Sequence, residues 1–481
     1  MRILLASSEV HPYSKTGGLA DSVGAFAKAL AKDGHHQVGV VTPLHRGIHE
    51  RFSGMSPLDL QCDLPLGATQ CKGRLYVTEP AENLRIYFVA QDDFFDRAGI
   101  YGENGVDYPD NPERFIFFCK CVVHLARNLD WKPDIVHIHD WHTGLVPLMI
   151  SQQRQTGGWQ NAPAVCLTIH NLAYQGVFPR AAFGLTNLPE KSFGSETAEF
   201  YGQMNCLKAA IALANAITTV SPRYAREITT SEFGCGLDGL LRKRQSALVG
   251  ILNGVDYDEW RTVGNPFLAQ GYSAADLSGK AACKAALQAE FHLSVDSRVP
   301  LFGVVTRLAD QKGIDVALGA LEEMLNSQMQ FVLLGSGAPG YEQAFRELAK
   351  RFRGKMAVRI GYDHSLAHRI ESGCDFYLMP SKFEPCGLNQ MYSLRYGTIP
   401  IVRRTGGLDD TVVDIQEDVK TADGIKFTEY STQALSKAIR KAQALFTNAE
   451  LVRMYRLNGM KVDFSWRNSV RRFAELYSSI C

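Results

Sequence analysis

The chain has 481 residues, which is too long for one small domain and corresponds to about three domains or two large ones. Hydrophobic residues make up 46% and charged residues 21%, so a large core can form and a mainly disordered chain is excluded. The 51 Lys and Arg against 50 Asp and Glu leave a net charge of +1, which provides no general attraction to nucleic acid or to an anionic membrane.

The N-terminal segment predicts a first strand rather than a targeting sequence. The apolar run at residues 1–6 ends at Ser7, Ser8 and Glu9, which makes it shorter than the core of a signal peptide. No window reaches the roughly 18 unbroken apolar residues of a membrane span. The 11 cysteines include no C-x-x-C pair, which favours free thiols in a reducing compartment. We therefore expect a cytoplasmic protein.

The first half of the chain alternates short apolar runs with helical patterns. Strands are predicted at residues 2–7, 37–42, 86–90, 134–139 and 164–170, and helices from residue 19 and over 113–129. In the first helix Leu19, Val23, Phe26, Ala27 and Leu30 share one face, which predicts packing on a sheet. This alternation is typical of a parallel α/β domain.

A second series begins after the turn-rich stretch at residues 253–266. Strands are predicted at 301–306, 331–334, 357–361, 376–379 and 399–402, with helices after Lys312, Pro339, Ser365 and Gly387. The segment 468–480 has helical spacing but no strand after it, so we expect it to pack back on the first half. The sequence predicts two doubly wound Rossmann-like α/β domains, at 1–252 and 253–463, and a C-terminal helical segment at 464–481.

A basic-Thr-Gly-Gly-Leu motif occurs once in each half, at residues 15–19 and 404–408. Each copy lies between a predicted strand and a predicted helix, where paired glycines let backbone N–H groups approach an anion. Either copy alone would also fit a turn that caps a helix, but the repetition beside a basic residue favours binding. Two such loops on facing sheets predict a phosphorylated ligand in the cleft between the halves.

Two cations follow the predicted strand at 301–306. Arg307 lies at the end of this strand and Lys312 at the start of the next helix, so the turn between them can direct both into one cleft. A diphosphate carries about two negative charges, and a bidentate Arg with a point-charge Lys suits it. Taken singly, each cation would also fit a solvated surface.

An acidic residue and a thiol follow the predicted strand at 376–379. Glu384 can accept hydrogen bonds from sugar hydroxyls, and Gly387 lets the next helix begin close to a ligand. Considered alone, Glu384 would also fit a helix cap. Cys386 has no His near it in the sequence, so we expect a buried, inert thiol rather than a nucleophile.

Together these motifs resemble the ADP-glucose-dependent glycogen and starch synthases, a family of retaining glycosyltransferases with the GT-B fold. The similarity covers essentially the whole chain, and the motifs keep the family order at residues 15–21, 137–142, 170–176, 220–222, 252–256, 307 with 311–313, 384–388 and 404–408. The chain departs from the family pattern after Trp260, where Thr262 and Asn265 replace the usual Pro and Asp.

The resemblance implies two Rossmann-like domains facing across a cleft. It also implies transfer of glucose from ADP-glucose to the non-reducing 4-OH end of an α-1,4-glucan (glycogen) primer, with retention of anomeric configuration. We expect no cofactor, no metal ion, and neither nucleic acid nor membrane as a partner.

The resemblance implies that five residues bind the diphosphate. Arg307 and Lys312 would hold it with their side chains, while Thr405, Gly406 and Gly407 would donate backbone N–H groups to it. Charge builds on the departing phosphate in the transition state, so contacts of this kind would stabilise that state more than the ground state.

The other implied contacts involve the sugar, the acceptor and the adenine. Glu384, His170 and Asp140 would be catalytic, together with Arg307 and Lys312. The residues of these other contacts are Lys15, Gly18, Asp21, Asp140, His170, Asn253, Tyr362, Glu384, Cys386 and Gly387. Glu384 would bind glucose hydroxyls, the backbone beside His170 would face the anomeric carbon, and Tyr362 would stack on adenine. Lys15 and Gly18 would contact the phosphate or sugar side of the donor. Asp140 and Asn253 would line the sugar and acceptor site, and no nucleophile is assigned.

Four other functions are open to the same sequence. Residues 335–340 read G-x-G-x-x-G, which suggests a dinucleotide oxidoreductase, although the next strand does not end in an acidic residue. His137, His139 and His142 suggest a metal cluster, although satisfied histidines fit this spacing better. A non-catalytic glycan or sugar-nucleotide sensor, or a related retaining transferase that uses UDP-glucose or another acceptor, would share the same scaffold.

Overall fold

The computed structural model describes residues 1–103 and 105–481 and divides the chain into two compact units. The first unit contains Met1–Gly254 and Trp466–Cys481, and the second contains Val255–Ser465. Both boundaries lie two residues after the predicted ones. Residues 464 and 465 stay with the second unit because the Val255 N–H donates to the Phe464 carbonyl at 2.7 Å and Val255 forms a bridge with Ser465.

The first unit is built on one large, mainly parallel sheet. Its strands, with the short hairpins outside that sheet, are β1 (Arg2–Ala6), β2 (Gln37–Pro43), β3 (Ser56–Pro57), β4 (Cys62–Leu66), β5 (Thr69–Ala81), β6 (Leu84–Ala90), β7 (Gly102–Glu103), β8 (Val106–Asp107), β9 (Ile135–His139), β10 (Ala164–Ile169), β11 (Val177–Pro179), β12 (Glu199–Phe200), β13 (Gln203–Asn205), β14 (Ala216–Thr219) and β15 (Leu248–Gly250). The sheet order is β15-β14-β10-β9-β1-β2-β6-β5-β3, with β4 paired to β5.

The parallel part of this sheet runs from β15 to β6, and antiparallel pairing begins at β5. Every residue of β9 and β10 is buried, which is why these strands read as continuous apolar runs. Within residues 1–254, the α-helices of this unit are α1 (Gly18–Lys32), α2 (Ile48–Arg51), α3 (Asp92–Phe95), α4 (Asn111–Asn128), α5 (Val146–Gln155), α6 (Cys206–Leu213), α7 (Pro222–Glu227) and α8 (Asp238–Lys243).

The second unit has a six-stranded sheet in which every pair is parallel. Its strands are β16 (Leu301–Leu308), β17 (Gln330–Gly337), β18 (Met356–Ile360), β19 (Phe376–Met379), β20 (Ile399–Arg403) and β21 (Ile425–Phe427). Its helices are α9 (Ser278–Glu290), α10 (Ile314–Met324), α11 (Pro339–Arg351), α12 (His364–Gly373), α13 (Asn389–Arg395), α14 (Gly406–Thr411), α15 (Thr432–Phe446) and α16 (Ala449–Lys461). The prediction of two doubly wound α/β domains is confirmed.

The last helix, α17 (Trp466–Ile480), packs on the first unit. Trp466, Val470, Phe473 and Tyr477 form its buried face. The ring of Phe473 lies 4.5 Å from the ring of Phe26 on α1, and the two side chains belong to the same core cluster. The chain therefore returns to the unit in which it began.

The first two glycines of the G-x-G-x-x-G sequence lie inside a strand rather than after it, and the third, Gly340, lies in α11. Gly335 and Gly337 belong to β17 and pair with Thr306 and Leu308 of β16. A Cβ at Gly335 would lie 2.2 Å from the Thr306 carbonyl oxygen, so the glycines serve the close approach of two strands. The structure thereby removes the feature that suggested a dinucleotide-binding turn.

No helix among the described residues combines the length and the apolar character that crossing a lipid bilayer requires.

Candidate functional site

Strand order places the predicted site residues at an equivalent position in each sheet. In the second unit the order β18-β17-β16-β19-β20-β21 changes direction between β16 and β19, and in the first unit the corresponding change lies between β1 and β9. Ligands of open α/β sheets bind outside the carboxyl ends of the strands at such a switch point. Lys312 follows β16, Glu384 follows β19, Lys15 follows β1 and Asp140 follows β9.

Lys312 and Glu384 form an ion pair at the switch point of the second unit. The Lys312 Nζ lies 2.6 Å from the Glu384 Oε2, and their side chains are 19% and 7% exposed. The same carboxylate oxygen accepts a hydrogen bond of 2.9 Å from the Ser381 hydroxyl. The residue predicted for the diphosphate and the residue predicted for the sugar are thus in direct contact, in a partly desolvated position where charge interactions are strong.

Arg307 has different surroundings. It is the penultimate residue of β16, and its side chain is exposed. Its guanidinium makes no hydrogen bond or ion pair with any residue that the structure describes. The structure therefore leaves this cation available to an anionic ligand.

The Thr405-Gly406-Gly407 turn packs directly against the loop that carries Glu384. Gly406 has a φ of 44°, and a Cβ there would lie 1.9 Å from the Glu384 carbonyl oxygen. The Gly407 N–H donates to the carbonyls of Glu384 and Pro385 at 3.1 Å, and the Thr405 N–H donates to Arg403 at 2.9 Å. The N–H groups of Thr405 and Gly407, which were expected to bind phosphate, are therefore engaged with protein carbonyls, and the Gly407 bonds join its turn to the Glu384 loop.

The segment after Glu384 is also held by a buried amide. Cys386 is buried, and Gly387 has a φ of 69°, a conformation that favours glycine. The Gln390 Nε2 donates to the carbonyls of Cys386 and Gly387 and to the Thr411 hydroxyl, at 2.9 to 3.0 Å. These bonds fix the loop that places the carboxylate of Glu384.

Tyr362, the predicted adenine contact, lies after β18 and is 70% exposed. It follows Gly361, whose φ is 138°. An aromatic ring exposed at the carboxyl end of a strand can stack on a planar base.

In the first unit a buried carboxylate anchors the loop that carries Lys15. Glu9 is 3% exposed and accepts hydrogen bonds from the Thr16 N–H, from the Thr16 hydroxyl at 2.9 Å, and from the Tyr101 hydroxyl at 2.9 Å. The Lys15 Nζ lies 2.8 Å from the Asp21 Oδ2, and Gly18 begins α1 beside it. Lys15 is thus held by a carboxylate of the same motif.

Asp140 occupies a backbone conformation that non-glycine residues rarely adopt, with φ 55° and ψ −171°. Its Oδ1 accepts hydrogen bonds from the His170 N–H at 2.7 Å and from the Asn171 N–H at 3.4 Å. Burial raises the pKa of Asp140 to about 7. The two N–H bonds lower this pKa, and the negative charge of Glu9 raises it. The strained turn joins the ends of β9 and β10 into one cluster.

Three histidines connect this cluster to the core. The His139 Nδ1 lies 3.0 Å from the His170 Nε2. His137 uses both ring nitrogens, with the Tyr477 hydroxyl at 2.7 Å and the Thr168 hydroxyl at 2.6 Å. Burial lowers the pKa of His137 and of His170 to about 3, so both are neutral at pH 7. His137 therefore has no nitrogen free to bind a metal ion.

Asn253 was predicted as the first residue of the second domain, but it belongs to the first unit. Its Nδ2 donates to the Ser22 hydroxyl on α1 at 2.8 Å. This bond ties the segment after β15 to the helix that follows the Lys15 loop.

Sequence reasoning missed the residues that hold these groups in place. Glu9, Ser381 and Gln390 make the bonds described above but belong to none of the predicted sets. Glu9 left a signal, since an acidic residue three positions after the last residue of β1 lies near the carboxyl end of the sheet. Ser381 and Gln390 left none, because their partners are defined only by the folded loops.

Comparisons with known proteins cover the chain from end to end. Residues 2–243 match the starch synthase catalytic domain family, and residues 288–458 match the glycosyl transferases group 1 family. A glycogen synthase from Anaeromyxobacter sp. (strain Fw109-5) is 47% identical over 481 residues, covering 100% of this chain and 99% of that one. A glycogen synthase from Thioalkalivibrio sulfidiphilus (strain HL-EbGR7) is 45% identical, with 100% of both chains covered.

Solved structures give the same result. The catalytic domain of Starch Synthase IV from Arabidopsis thaliana, bound to ADP and acarbose, matches with a TM-score of 0.90 and 33% identity, covering 100% of this chain and 99% of that one. Sucrose-phosphate synthase from Thermosynechococcus elongatus has a TM-score of 0.61 at 18% identity, with 100% and 98% of the two chains covered, and shows the shared fold alone. The chain belongs to the glycogen and starch synthase family of glycosyltransferases.

Proposed function

We propose that the protein transfers glucose from ADP-glucose to the non-reducing 4-OH end of an α-1,4-glucan such as glycogen, with retention of anomeric configuration. The observation that carries this proposal is the arrangement at the switch point of the second unit, where Arg307 lies near the carboxyl end of β16 and the Lys312–Glu384 ion pair joins the segments that follow β16 and β19. Family membership supports the reaction, and the ADP in the solved relative supports an adenine nucleotide.

Arg307 and Lys312 bind the diphosphate of the donor in this proposal. As the bond between the sugar C1 and the phosphate oxygen breaks, negative charge accumulates on the leaving ADP, and the two cations stabilise it. Loss of one such preorganised contact costs about 3 kcal/mol of transition-state stabilisation. The backbone of residues 405–407 supports the same group by holding the Glu384 loop in place.

Glu384 binds the glucose hydroxyls, and its ion pair with Lys312 links the sugar contact to the diphosphate contact. Asp140 and the backbone at His170 face the reacting sugar, while Lys15, Gly18 and Asp21 act on the phosphate or sugar side. We assign Asn253 to the sugar and acceptor site and Tyr362 to the adenine. In this proposal no residue acts as a covalent nucleophile.

We further propose that the reaction requires no cofactor or metal ion and takes place in the cytoplasm. The free state of all 11 cysteines supports a reducing compartment.

A donor panel tests the proposal directly. Glucose incorporation into a glycogen primer is measured from ADP-, UDP- and GDP-glucose, with boiled enzyme and primer-free reactions as controls. We expect ADP-glucose to give the highest kcat/KM and the new linkage to be α by ¹H NMR. Preference for UDP-glucose would show that ADP-glucose is not the donor. A β linkage would refute retention of configuration. Donor binding without any transfer would indicate a sensor instead of an enzyme.

A further inference from the structure

A group of three side chains in the second unit, unused by the proposed transfer, has the composition of a metal site. Glu259, His364 and His368 each offer one ligand atom, and these atoms lie within 4.8 Å of one another. The Glu259 Oε1 and the His364 Nε2 are 3.6 Å apart. Two imidazoles and a carboxylate at this spacing can share one ion.

Local structure places the two histidines together. Both belong to α12, and residues four apart lie on the same face of a helix. The Asp363 side chain accepts a hydrogen bond of 2.9 Å from the Leu366 N–H, which fixes the first turn where His364 lies. Glu259 comes from the segment before α9, so the group joins two parts of the unit that are about 100 residues apart in the chain.

The ring of His368 is fully buried and held on several sides. It stacks on Trp260 with the ring centroids 4.1 Å apart and the planes 16° apart, and its Nδ1 lies 2.9 Å from the Tyr396 hydroxyl. Its Nε2 has no hydrogen-bond partner among the residues that the structure describes. A buried ring nitrogen without a partner is unfavourable unless something else binds it.

The Tyr396 hydroxyl provides the support that a metal-bound histidine usually has. Such a histidine donates its second ring N–H to an oxygen atom, which fixes the tautomer and the orientation of the ring. The Asn265 Nδ2 in turn donates to the Tyr396 hydroxyl at 2.9 Å and to the Arg261 carbonyl at 3.0 Å, which uses both of its hydrogens, and it also lies 3.2 Å from the His368 Nδ1. The hydroxyl is therefore held in position beside the Nδ1 of His368.

We propose that Glu259, His364 and His368 form a binding site for a divalent first-row transition-metal ion, for which Zn²⁺ is the best match. Imidazole and carboxylate ligands suit this ion, and three protein ligands leave a fourth position for water. The side chains of His364 and Glu259 are 37% and 28% exposed, which gives the ion a route of entry. Because the ion binds the folded unit, it joins the segment around Glu259 to α12 and stabilises both.

Metal titration of the full-length protein without an affinity tag tests the site. Co²⁺ serves as a spectroscopic probe and Zn²⁺ as its competitor. We expect one equivalent of Co²⁺ to give the visible absorption of a tetrahedral site, and one equivalent of Zn²⁺ to remove it. His364→Ala and Glu259→Gln should each weaken binding at least tenfold, while His35→Ala, at an exposed position of the first unit, should not change it.

Thiols could bind the same ions, so Cys235 and Cys481, the two exposed cysteines, are both replaced by Ser in a further variant. We expect this variant to keep the wild-type stoichiometry. Absence of stoichiometric binding, wild-type affinity in His364→Ala, or loss of binding in the double serine variant would overturn the proposal.

Thermal unfolding gives an independent readout. Excess Zn²⁺ should raise the unfolding temperature of the wild type and leave that of His364→Ala unchanged. An equal rise in both proteins would place the stabilising ion elsewhere and contradict the site.

Discussion

Arg307 and Lys312 were predicted for one role, yet their side chains have different surroundings. Arg307 is exposed and makes no bond to the described residues, whereas Lys312 is paired with the buried Glu384. Removing one member of a buried pair leaves the other charge without compensation, which is strongly destabilising. Removing an exposed, unpaired cation has no such cost. Variants at the two positions therefore distinguish an effect on activity from an effect on stability.

We expect Arg307→Ala and Lys312→Ala each to lower the kcat for glucosyl transfer by two or more orders of magnitude. Only Lys312→Ala should also lower the free energy of unfolding, by about 2 kcal/mol, because Glu384 loses its partner. Initial rates and urea denaturation of both variants check this. Near wild-type rates in both variants would contradict the assignment of Arg307 and Lys312 to the diphosphate. Equal free energies of unfolding for the two variants would contradict the stabilising role of the Lys312–Glu384 ion pair.

Asp140 carries a second residue-scale effect, which depends on pH. Its pKa is about 7 in the folded protein against an ordinary value of 3.8, so between these values the folded state binds more protons than the unfolded state. The stability that this group contributes is therefore fully present below pH 3.8 and is lost as the pH rises through 7. Each unit of pKa difference corresponds to about 1.4 kcal/mol.

Asp140→Asn should remove this pH dependence while keeping an oxygen for the His170 N–H. We expect the variant to gain stability relative to the wild type as the pH rises from 4.5 to 7.5, and to lose transfer activity. Urea midpoints of both proteins across this range measure the difference. A difference that does not change with pH would show that Asp140 is not the group responsible.

At the scale of elements, the turn between β20 and α14 sets the position of the Glu384 loop. A Cβ at Gly407 would lie 2.1 Å from the Cys386 carbonyl oxygen, and one at Gly406 would lie 1.9 Å from that of Glu384. Both obstacles are backbone atoms, so the loop itself must move to accept a side chain. The paired glycines thus act through the packing of two loops.

Gly406→Ala and Gly407→Ala should therefore lower kcat at least 100-fold and destabilise the protein by about 2 kcal/mol or more. Gly340→Ala is the matched control, because nothing lies within 4 Å of a Cβ there. That position is in the first turn of α11, where alanine is favourable by about 0.5 to 1 kcal/mol. Retained activity in Gly406→Ala, measured with the same donor and primer, would contradict the role of the close contact.

Element prediction succeeded where the chain carries a strong periodic or apolar signal and was incomplete elsewhere. The predicted strand 376–379 and the structural β19 have identical bounds, and α1 begins one residue before the predicted start. The antiparallel strand β5 was not predicted, although Cys71, Gly73 and Leu75 alternate as its buried residues. Small and polar residues weaken that alternation, so partners on β4 and β6 are needed to define the strand.

At the scale of the whole molecule, the C-terminal helix completes the core of the unit that contains the N-terminus. Phe473 contacts Phe26, His137 and Tyr477, with ring centroids 4.5 to 5.9 Å apart. His137 and His139 are neighbours on one strand, and His139 contacts His170. The helix therefore packs beneath the residues that we assign to the reacting sugar.

Phe473→Ala should destabilise the protein by about 3 to 5 kcal/mol, because it removes a buried aromatic side chain from the middle of this cluster. For a unit of this size, that corresponds to a fall in unfolding temperature of roughly 6 °C or more. Differential scanning calorimetry measures the change, with Arg471→Ala at an exposed position of the same helix as control. Equal unfolding temperatures for the two variants would show that the helix is dispensable to the core.

The sequence alone determined the fold class and the family, because apolar periodicity and ordered motifs are properties of neighbouring residues. It also selected Arg307, which the structure places near the end of β16, and Lys312, Glu384 and Asp140, which follow strands that flank the two switch points. The tertiary structure alone decided which groups are in contact: Lys312 with Glu384, Glu9 with the Lys15 loop, and Asn253 with Ser22. Pairing, burial and pKa depend on atoms brought together from distant parts of the chain, and no local pattern in the sequence records those distances.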